Sequence, residues 1–264
     1  KIAIHDFLGA KDIAPFIGSI VKADLIRTGE FDVLGSEDLL SDIKNDGLIN
    51  YKGYRLLGVD FILISKVINE GDSSLTVEYA IYDASKEKKI RSSKVYGIPN
   101  KTRQLAHYVS DGIYEEITDL PGVASTKMLY VSEVDQNSSQ IFRLMMSDSD
   151  GMNEQVLLRS NKPIISPTWS PDSKSVAYVS FETGMAKVFI QNIATGSREI
   201  VSSFLDKGYL LFLHTNQSGV ERGYFKMEDV KKCNDRMIEL LNINSKIFED
   251  ICIASDYPPK KNTY

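Results

Sequence analysis

Apolar and polar positions near the start of the chain follow two different periods. The apolar residues Ile2, Ala3, Ile4 and Phe7 predict an opening strand. Apolar residues then recur every three or four positions, which predicts a helix with one buried face. They are Ile13, Phe16, Ile17, Ile20, Val21 and Leu25. We expect Asp12 to cap this helix and Gly29 to end it, because a residue without Cβ adopts the left-handed conformation at little cost.

The segment that follows predicts a sheet. Strands are expected at residues 31–34, 59–64, 75–82 and 90–96, with a polar helical stretch at 36–43. Within 75–82 apolar and polar residues alternate, which is the period of a sheet with one face in water. The elements up to this point are therefore typical of a small α/β domain.

A second long helix closes this first region. Pro99 and Asn100 are expected to open it, and its apolar positions are spaced by four residues. These are Leu105, Val109, Ile113 and Ile117. Pro121 and Gly122 then interrupt the pattern, so we expect a domain boundary there and assign residues 1–122 to the α/β domain.

After residue 122 the chain changes to short strands that repeat. The segment 127–132 is echoed at 175–180, an offset of 48 residues, and two smaller segments recur with offsets of 47 and 45 residues. A repeat of this length is typical of a β-propeller with four strands per blade. Residues 169–174 are expected to join the two repeats, with Pro171 and Asp172 at the corners of a tight turn.

Composition excludes several classes of function. The chain has 264 residues, 42% hydrophobic residues, 25% charged residues and a formal net charge of −5, as ordinary globular proteins do. No stripe of Lys and Arg is present, which argues against a nucleic-acid partner. No run approaches the roughly 20 apolar residues of a membrane span. No secretory signal precedes the first strand, so any such signal has been removed or was never present.

Candidate reactive residues are few. The two cysteines, Cys233 and Cys252, match no metal-ligand spacing and are interpreted as buried thiols. The histidines His5, His107 and His214 are isolated, because none of them has an Asp or Cys at the spacing of metal ligands. A structural role is therefore favoured over a catalytic one. We therefore predict no catalytic residue and no metal site.

Two segments carry a resemblance to the TolB family. They are the blade-like run 166–184, which contains Trp169-Ser170-Pro171-Asp172-Ser173, and the run 18–25 of the first helix with its Gly29-Glu30-Phe31 ending. The resemblance covers residues 1–204 and implies an α/β amino-terminal domain followed by a truncated propeller of about one and a half blades at 123–204. The family's propeller has six blades.

The resemblance also implies a function. It predicts a non-catalytic, protein-binding component of the periplasmic Tol–Pal system, which serves outer-membrane integrity, cell division and bacteriocin import. The propeller would bind the lipoprotein Pal, and the amino-terminal domain would communicate with TolA. The family's flexible leader is absent from this sequence. No partner-contact residue is carried over, because that surface belongs mostly to blades beyond residue 204.

Residues 205–264 depart from this pattern. An apolar strand near 210–213 runs into a polar turn, and a helix follows with Met227, Val230, Met237 and Leu240 on one face, then a strand at 251–254. This partial Rossmann-like segment resembles a fragment of haloacid-dehalogenase-type phosphatases, in the branch of histidinol and heptose-bisphosphate phosphatases.

That second resemblance implies an alternative function, a Mg²⁺-dependent phosphomonoester hydrolase that is inactive as a fragment. Thr215 and Asn216 match the family's phosphate-binding turn, where a strand end presents hydrogen-bond donors to an anion. Asp148 in the segment Asp148-Ser149-Asp150-Gly151 is a candidate nucleophile, but the turn of a propeller blade is the favoured interpretation of that segment. Apart from Mg²⁺ in this alternative, no cofactor is predicted.

Overall fold

A computed structural model describes residues 1–35, 38–39, 49–71, 73–136, 139–201, 208, 210–217, 219–240 and 248–255. The chain divides into two compact units. The first comprises Lys1–Met128 together with Asp148–Asn153, and the second comprises Leu129–Ser147 and Glu154–Tyr264. The domain limits at residues 122 and 204 that the sequence predicts stay a prediction.

The first unit is built on one mixed sheet. Its elements are β1 (Ile2–Ile4), β2 (Leu8–Gly9), α1 (Ile13–Arg27), β3 (Val33–Leu34), α2 (Tyr51–Leu56), β4 (Phe61–Asn69), β5 (Leu75–Asp83), β6 (Lys88–Gly97) and α3 (Thr102–Thr118). The strand order is β3-β1-β4-β5-β6, and β2 also pairs with β4. Strands β1 and β4 are parallel, whereas β4, β5 and β6 form an antiparallel meander.

Most of the expected elements are present, with corrections at helix ends. Gly29 follows α1 with φ +75°, as predicted. Asp12 directly precedes α1, but its side chain accepts no capping hydrogen bond. The reason is that its backbone dihedral angles are already near helical values (φ −98°, ψ −23°). A 3₁₀ turn at Pro99–Lys101 precedes α3. The predicted helical stretch 36–43 lies almost entirely outside the described residues, and α2 was not anticipated.

Two apolar clusters cover the two faces of this sheet. Neighbouring residues of a strand point to opposite faces, so Ile2 and Leu63 belong to the larger cluster while Ala3 and Ile62 belong to the smaller one. The larger cluster contains the buried stripes of α1 and α3 and one face of β5. Its helical members include Ile17, Val21, Leu25, Leu105, Val109 and Ile113. The two helices therefore pack on the same face of the sheet.

The second unit contains two sheets that correspond to the predicted repeats. The first sheet has the order β7 (Lys127–Gln136), β8 (Ser139–Asp148), β9 (Gln155–Ser160). The first two residues of β7 and the last residue of β8 are assigned to the first unit, and the rest of this sheet to the second. The second has the order β10 (Ile164–Trp169), β11 (Ser175–Ser180), β12 (Lys187–Asn192), β13 (Arg198–Ile200), each antiparallel to the next.

The two sheets share one core, as adjacent blades do. Leu144 of β8 lies in one buried cluster with Val176, Tyr178 and Phe189 of the second sheet. One detail of the prediction is wrong: residues 169–174 connect β10 to β11 within the second sheet rather than joining the repeats. The turn itself is as expected, since the Ser173 N–H donates to the Ser170 carbonyl over 2.9 Å and so places Pro171 and Asp172 at its corners.

The end of the chain has the strand–helix–strand order that the sequence predicts. These elements are β14 (Phe212–Asn216), α4 (Met227–Leu240) and β15 (Asp250–Ala254), and β14 is parallel to β15. Among the residues that the structure describes, no helix is long and apolar enough to span a membrane.

The expectation of buried thiols is wrong, because Cys233 and Cys252 are both free and exposed. Cys233 follows two exposed lysines on the outer side of α4. On β15, Cys252 lies on the exposed side, while its neighbours Ile251 and Ile253 are partly buried.

Candidate functional site

Helices α1 and α3 each bring polar side chains into the apolar core of the first unit. Asp24 lies between the buried Val21 and Leu25 on α1 and is 3% exposed. His107 and Ser110 interrupt the buried stripe of α3 and are each 2% exposed. Buried charges and polar groups are costly unless they are paired, so their partners define the site.

Three donors converge on Asp24. The Nδ1–H of His107 and the Ser110 hydroxyl each donate to its Oδ2 over 2.7 Å, and Nη1 of Arg27 donates to its Oδ1 over 2.8 Å. Burial by itself would raise the pKa of Asp24, but the hydrogen bonds from His107, Ser110 and Arg27 outweigh it and lower the pKa below its ordinary value. Asp24 is therefore a buried carboxylate that fixes the orientation of the His107 ring.

The turn between β8 and β9, residues 148–153 of the first unit, supplies a second acidic group. Gly151 adopts φ +82°, and its N–H donates to the Asp148 carbonyl over 3.0 Å. This geometry presents Asp150, whose Oδ1 accepts from the Met152 N–H over 3.0 Å and whose Oδ2 accepts from Arg103. Burial would raise the pKa of Asp150, but the bonds from the Met152 N–H and Arg103 outweigh it and lower the pKa.

These groups form one cluster of three possible metal ligands. One carboxylate oxygen each of Asp24 and Asp150 and one ring nitrogen of His107 all lie within 4.8 Å of one another. The Nε2 atom of His107 is 3.7 Å from Oδ2 of Asp150. We name Asp24, His107 and Asp150 the acid–histidine cluster.

Asp148 lies beside this cluster at the end of β8. It contacts Lys127 and accepts a hydrogen bond of 2.6 Å from Nδ2 of Asn153. Its backbone N–H donates to the Met152 carbonyl over 2.8 Å, so the residue belongs to the hairpin turn. This is the position that the blade-turn interpretation predicts.

The prediction that each histidine is isolated is wrong for His107. Its ring lies between two carboxylates: that of Asp24, which is 83 positions earlier in the chain, and that of Asp150 in the β8–β9 turn. His5 has a different setting: its Nε2 is 2.6 Å from the Tyr54 hydroxyl, and it lines a cavity of about 360 Å³ together with Ser19 and Lys22.

Sequence reasoning missed Asp24, His107 and Asp150 as a group, although one signal was available. Asp24 falls on a helix position that the apolar period of α1 assigns to the core, whereas His107 lies outside the four-residue period of α3. A charged residue in such a stripe requires a buried partner. The period could not reveal which residue of the other helix provides it.

Thr215 lies near the carboxyl end of β14, beside the parallel strand β15. Its hydroxyl accepts a hydrogen bond of 2.9 Å from Nε2 of Gln217. The side chain of Asn216 and the whole of Ser218 lie outside the described residues. Phosphate binding by Thr215 and Asn216 therefore stays a prediction.

The fold now defines a class: an α/β domain followed by the first sheets of a β-propeller. Comparison with known families specifies it further, because residues 1–90 match the TolB amino-terminal domain and residues 114–209 match the TolB beta propeller domain. These two matches support the relationship to TolB that the sequence motifs suggested.

Individual relatives agree with this result. The chain is 39% identical over 204 residues to the Tol-Pal system protein TolB of Alcanivorax borkumensis, covering 77% of this chain and 47% of the relative. The TolB of Xylella fastidiosa is 38% identical over 200 residues, covering 76% and 45%. The crystal structure of TolB from Acinetobacter baumannii superposes with a TM-score of 0.68 at 31% identity, over 76% of this chain and 48% of that one.

The chain spans about half the length of the curated relatives that it matches. The similarity to haloacid-dehalogenase-type phosphatases at residues 205–264 has no counterpart in these matches and stays a prediction.

Proposed function

We propose that this chain acts as a non-catalytic, protein-binding component of a Tol–Pal system in the periplasm. The observation that carries the proposal is the match to Tol-Pal system protein TolB, which runs over 204 residues and extends to the fold. The function then rests on surfaces rather than on a reactive centre.

Each part of the chain has its own partner in this proposal. The first unit communicates with TolA, and the propeller sheets of the second unit contribute to binding the lipoprotein Pal. Propeller sheets suit this task because they bury one another's faces and leave loops and strand edges for contact. Outer-membrane integrity, cell division and bacteriocin import are the processes that such a component serves.

A direct test is to immobilise the chain and measure its binding to purified soluble Pal and to the periplasmic part of TolA. The full-length TolB of Alcanivorax borkumensis is the positive control. Saturable binding of either partner supports the proposal. No binding of both, under conditions in which the control binds both, contradicts it.

One observation favours the phosphatase as a second candidate. Thr215 lies near the carboxyl end of β14, and open α/β sheets bind ligands at the carboxyl ends of their parallel strands. The test is release of phosphate from phosphomonoesters with and without Mg²⁺. Activity that is lost in Thr215→Ala or Asp148→Asn would replace the binding proposal, whereas the proposal itself predicts no turnover.

A further inference from the structure

The acid–histidine cluster contains a buried nitrogen without a hydrogen bond. The Nδ1–H of His107 donates a hydrogen bond to Asp24, whereas its Nε2 has no hydrogen-bond partner among the described residues. Oδ2 of Asp150 lies 3.7 Å from this nitrogen, which is too long for a hydrogen bond. A ring with its proton on Nδ1 thus presents a lone pair toward a carboxylate, an arrangement that a positive charge between the two atoms would stabilise.

The separation of these two atoms suits a shared metal ion. Zinc lies about 2.0–2.2 Å from its nitrogen and oxygen ligands, so two ligands at the tetrahedral angle are roughly 3.4 Å apart. The 3.7 Å between Nε2 of His107 and Oδ2 of Asp150 is close to this value. An ion about 2.1 Å from both atoms therefore fits between them with a ligand–ion–ligand angle of roughly 120°.

The surrounding charges favour an additional cation. The carboxylates of Asp24, Asp148 and Asp150 are 1%, 7% and 4% exposed. Two cations that contact them reach solvent, since the side chains of Arg27 and Lys127 are 44% and 42% exposed. Arg103, at 20%, is the least exposed of these three cations, so three cations face three carboxylates and solvent screens the two outer cations more strongly than it screens the buried carboxylates.

We propose that His107 Nε2 and Asp150 Oδ2 bind a divalent transition-metal ion of the zinc type, with Asp24 acting as the carboxylate that orients the imidazole. A histidine ligand commonly donates its second N–H to a carboxylate, and here Nδ1–H donates to Asp24. Imidazole and carboxylate together suit Zn²⁺ or Co²⁺, whereas Ca²⁺ and Mg²⁺ prefer oxygen ligands alone. Water completes the coordination.

Arg103 is the internal competitor for this site. Its guanidinium contacts Oδ2 of Asp150, and its Nε lies 3.8 Å from Oδ2 of Asp148. When an ion binds Asp150, Arg103 retains Asp148 as an acidic partner. Removing the guanidinium should therefore tighten metal binding, which a purely structural role of the cluster does not predict.

The test uses the full chain in a Cys233→Ser/Cys252→Ser background, because exposed thiols bind zinc themselves. After treatment with a chelator, the melting temperature and binding heat are measured against ZnCl₂, with MgCl₂ and CaCl₂ in parallel. We expect zinc to raise the melting temperature, since a ligand of the folded state stabilises it. Magnesium and calcium should have no effect.

Variants locate the ion. His107→Gln and Asp150→Asn should abolish the zinc effect, and Asp24→Asn should weaken zinc affinity about 10- to 100-fold. Arg103→Gln should increase the affinity, and His5→Gln, a histidine outside the cluster, should leave it unchanged. Far-UV circular dichroism shows which variants fold, and if His107→Gln does not fold, the affinity of Arg103→Gln decides.

Three results would overturn the proposal: no zinc effect in both the parent and Arg103→Gln, a zinc effect that persists in folded His107→Gln, or zinc binding that Arg103→Gln leaves unchanged. A Co²⁺ spectrum without a thiolate band, lost in Asp150→Asn, would support it independently.

Discussion

The two sheets of the second unit share one sequence pattern but differ in burial. Tyr130 of β7 and Tyr178 of β11 occupy equivalent positions of the repeat, and so do Met128 and Val176. Tyr178 is 1% exposed and Val176 is 0% exposed, whereas Met128 is 42% exposed. Tyr130 is only partly buried and reaches Glu154 with its hydroxyl.

The difference follows from the neighbours of each strand. Strand β11 lies between β10 and β12, whereas β7 has only β8 beside it in the part of the chain that the structure describes. A propeller sheet buries its central strands only when strands and sheets flank them. Equivalent sequence positions therefore predict equivalent strands, but burial depends on what packs next to them.

The sharpest way to break this comparison is to truncate the two equivalent tyrosines. Tyr178 stacks on Phe189 at 5.9 Å and donates to Oε1 of Gln191 over 3.0 Å. Tyr178→Ala should reduce the free energy of unfolding by about 3–5 kcal/mol, and Tyr130→Ala by about 1 kcal/mol or less. Urea denaturation measures both, with Tyr178→Phe as a control that loses about 1 kcal/mol. Equal losses at 130 and 178 would contradict the comparison.

Hydrogen exchange sharpens the same contrast along the backbone. We expect residues 123–204 to be less protected than residues 1–120, because β7 has a neighbouring strand on only one side in the part of the chain that the structure describes. Within the second unit, amides of β7 should exchange at least about tenfold faster than those of β11. Uniform protection across both units and both sheets would show that the unpaired edge has no energetic consequence.

The smallest effect concerns the turn between β10 and β11, which has no equivalent among the described residues of the first sheet. Asp172 accepts from the Ser170 hydroxyl over 2.6 Å and from the Lys174 N–H over 3.1 Å, and these bonds lower the pKa of its carboxyl. Since the pKa is lower in the folded state, the stabilisation is complete above the ordinary value of 3.8 and is lost as the pH falls through the folded value.

Asp172→Asn should therefore flatten the acid end of the stability curve of the second unit slightly, leaving its shape above pH 5 unchanged. Thermal melts between pH 2 and pH 7 measure this. If the melting temperature of Asp172→Asn depends on pH in the same way as that of the parent chain, the Asp172 carboxylate does not stabilise the turn.

Local sequence patterns predicted the strands but did not predict the acid–histidine cluster. The alternation of residues 75–82 predicted β5, and the echo of 127–132 at 175–180 predicted β7 and β11, because side-chain period and turn residues are local properties. The contact of Asp24 with His107 joins residues 83 positions apart, so no local period contains it. The exposure of Cys233 likewise depends on which side of α4 is covered.

The central claim is that the two sheets β7–β9 and β10–β13 are the start of a β-propeller, in which neighbouring sheets share a core. A double-mutant cycle between Leu144 of β8 and Val176 of β11, each replaced by Ala, tests it most directly, because both belong to the same buried cluster. We expect a coupling free energy of about 0.5–3 kcal/mol in urea denaturation. Additive losses, with no coupling, would show that the two sheets do not pack as adjacent blades.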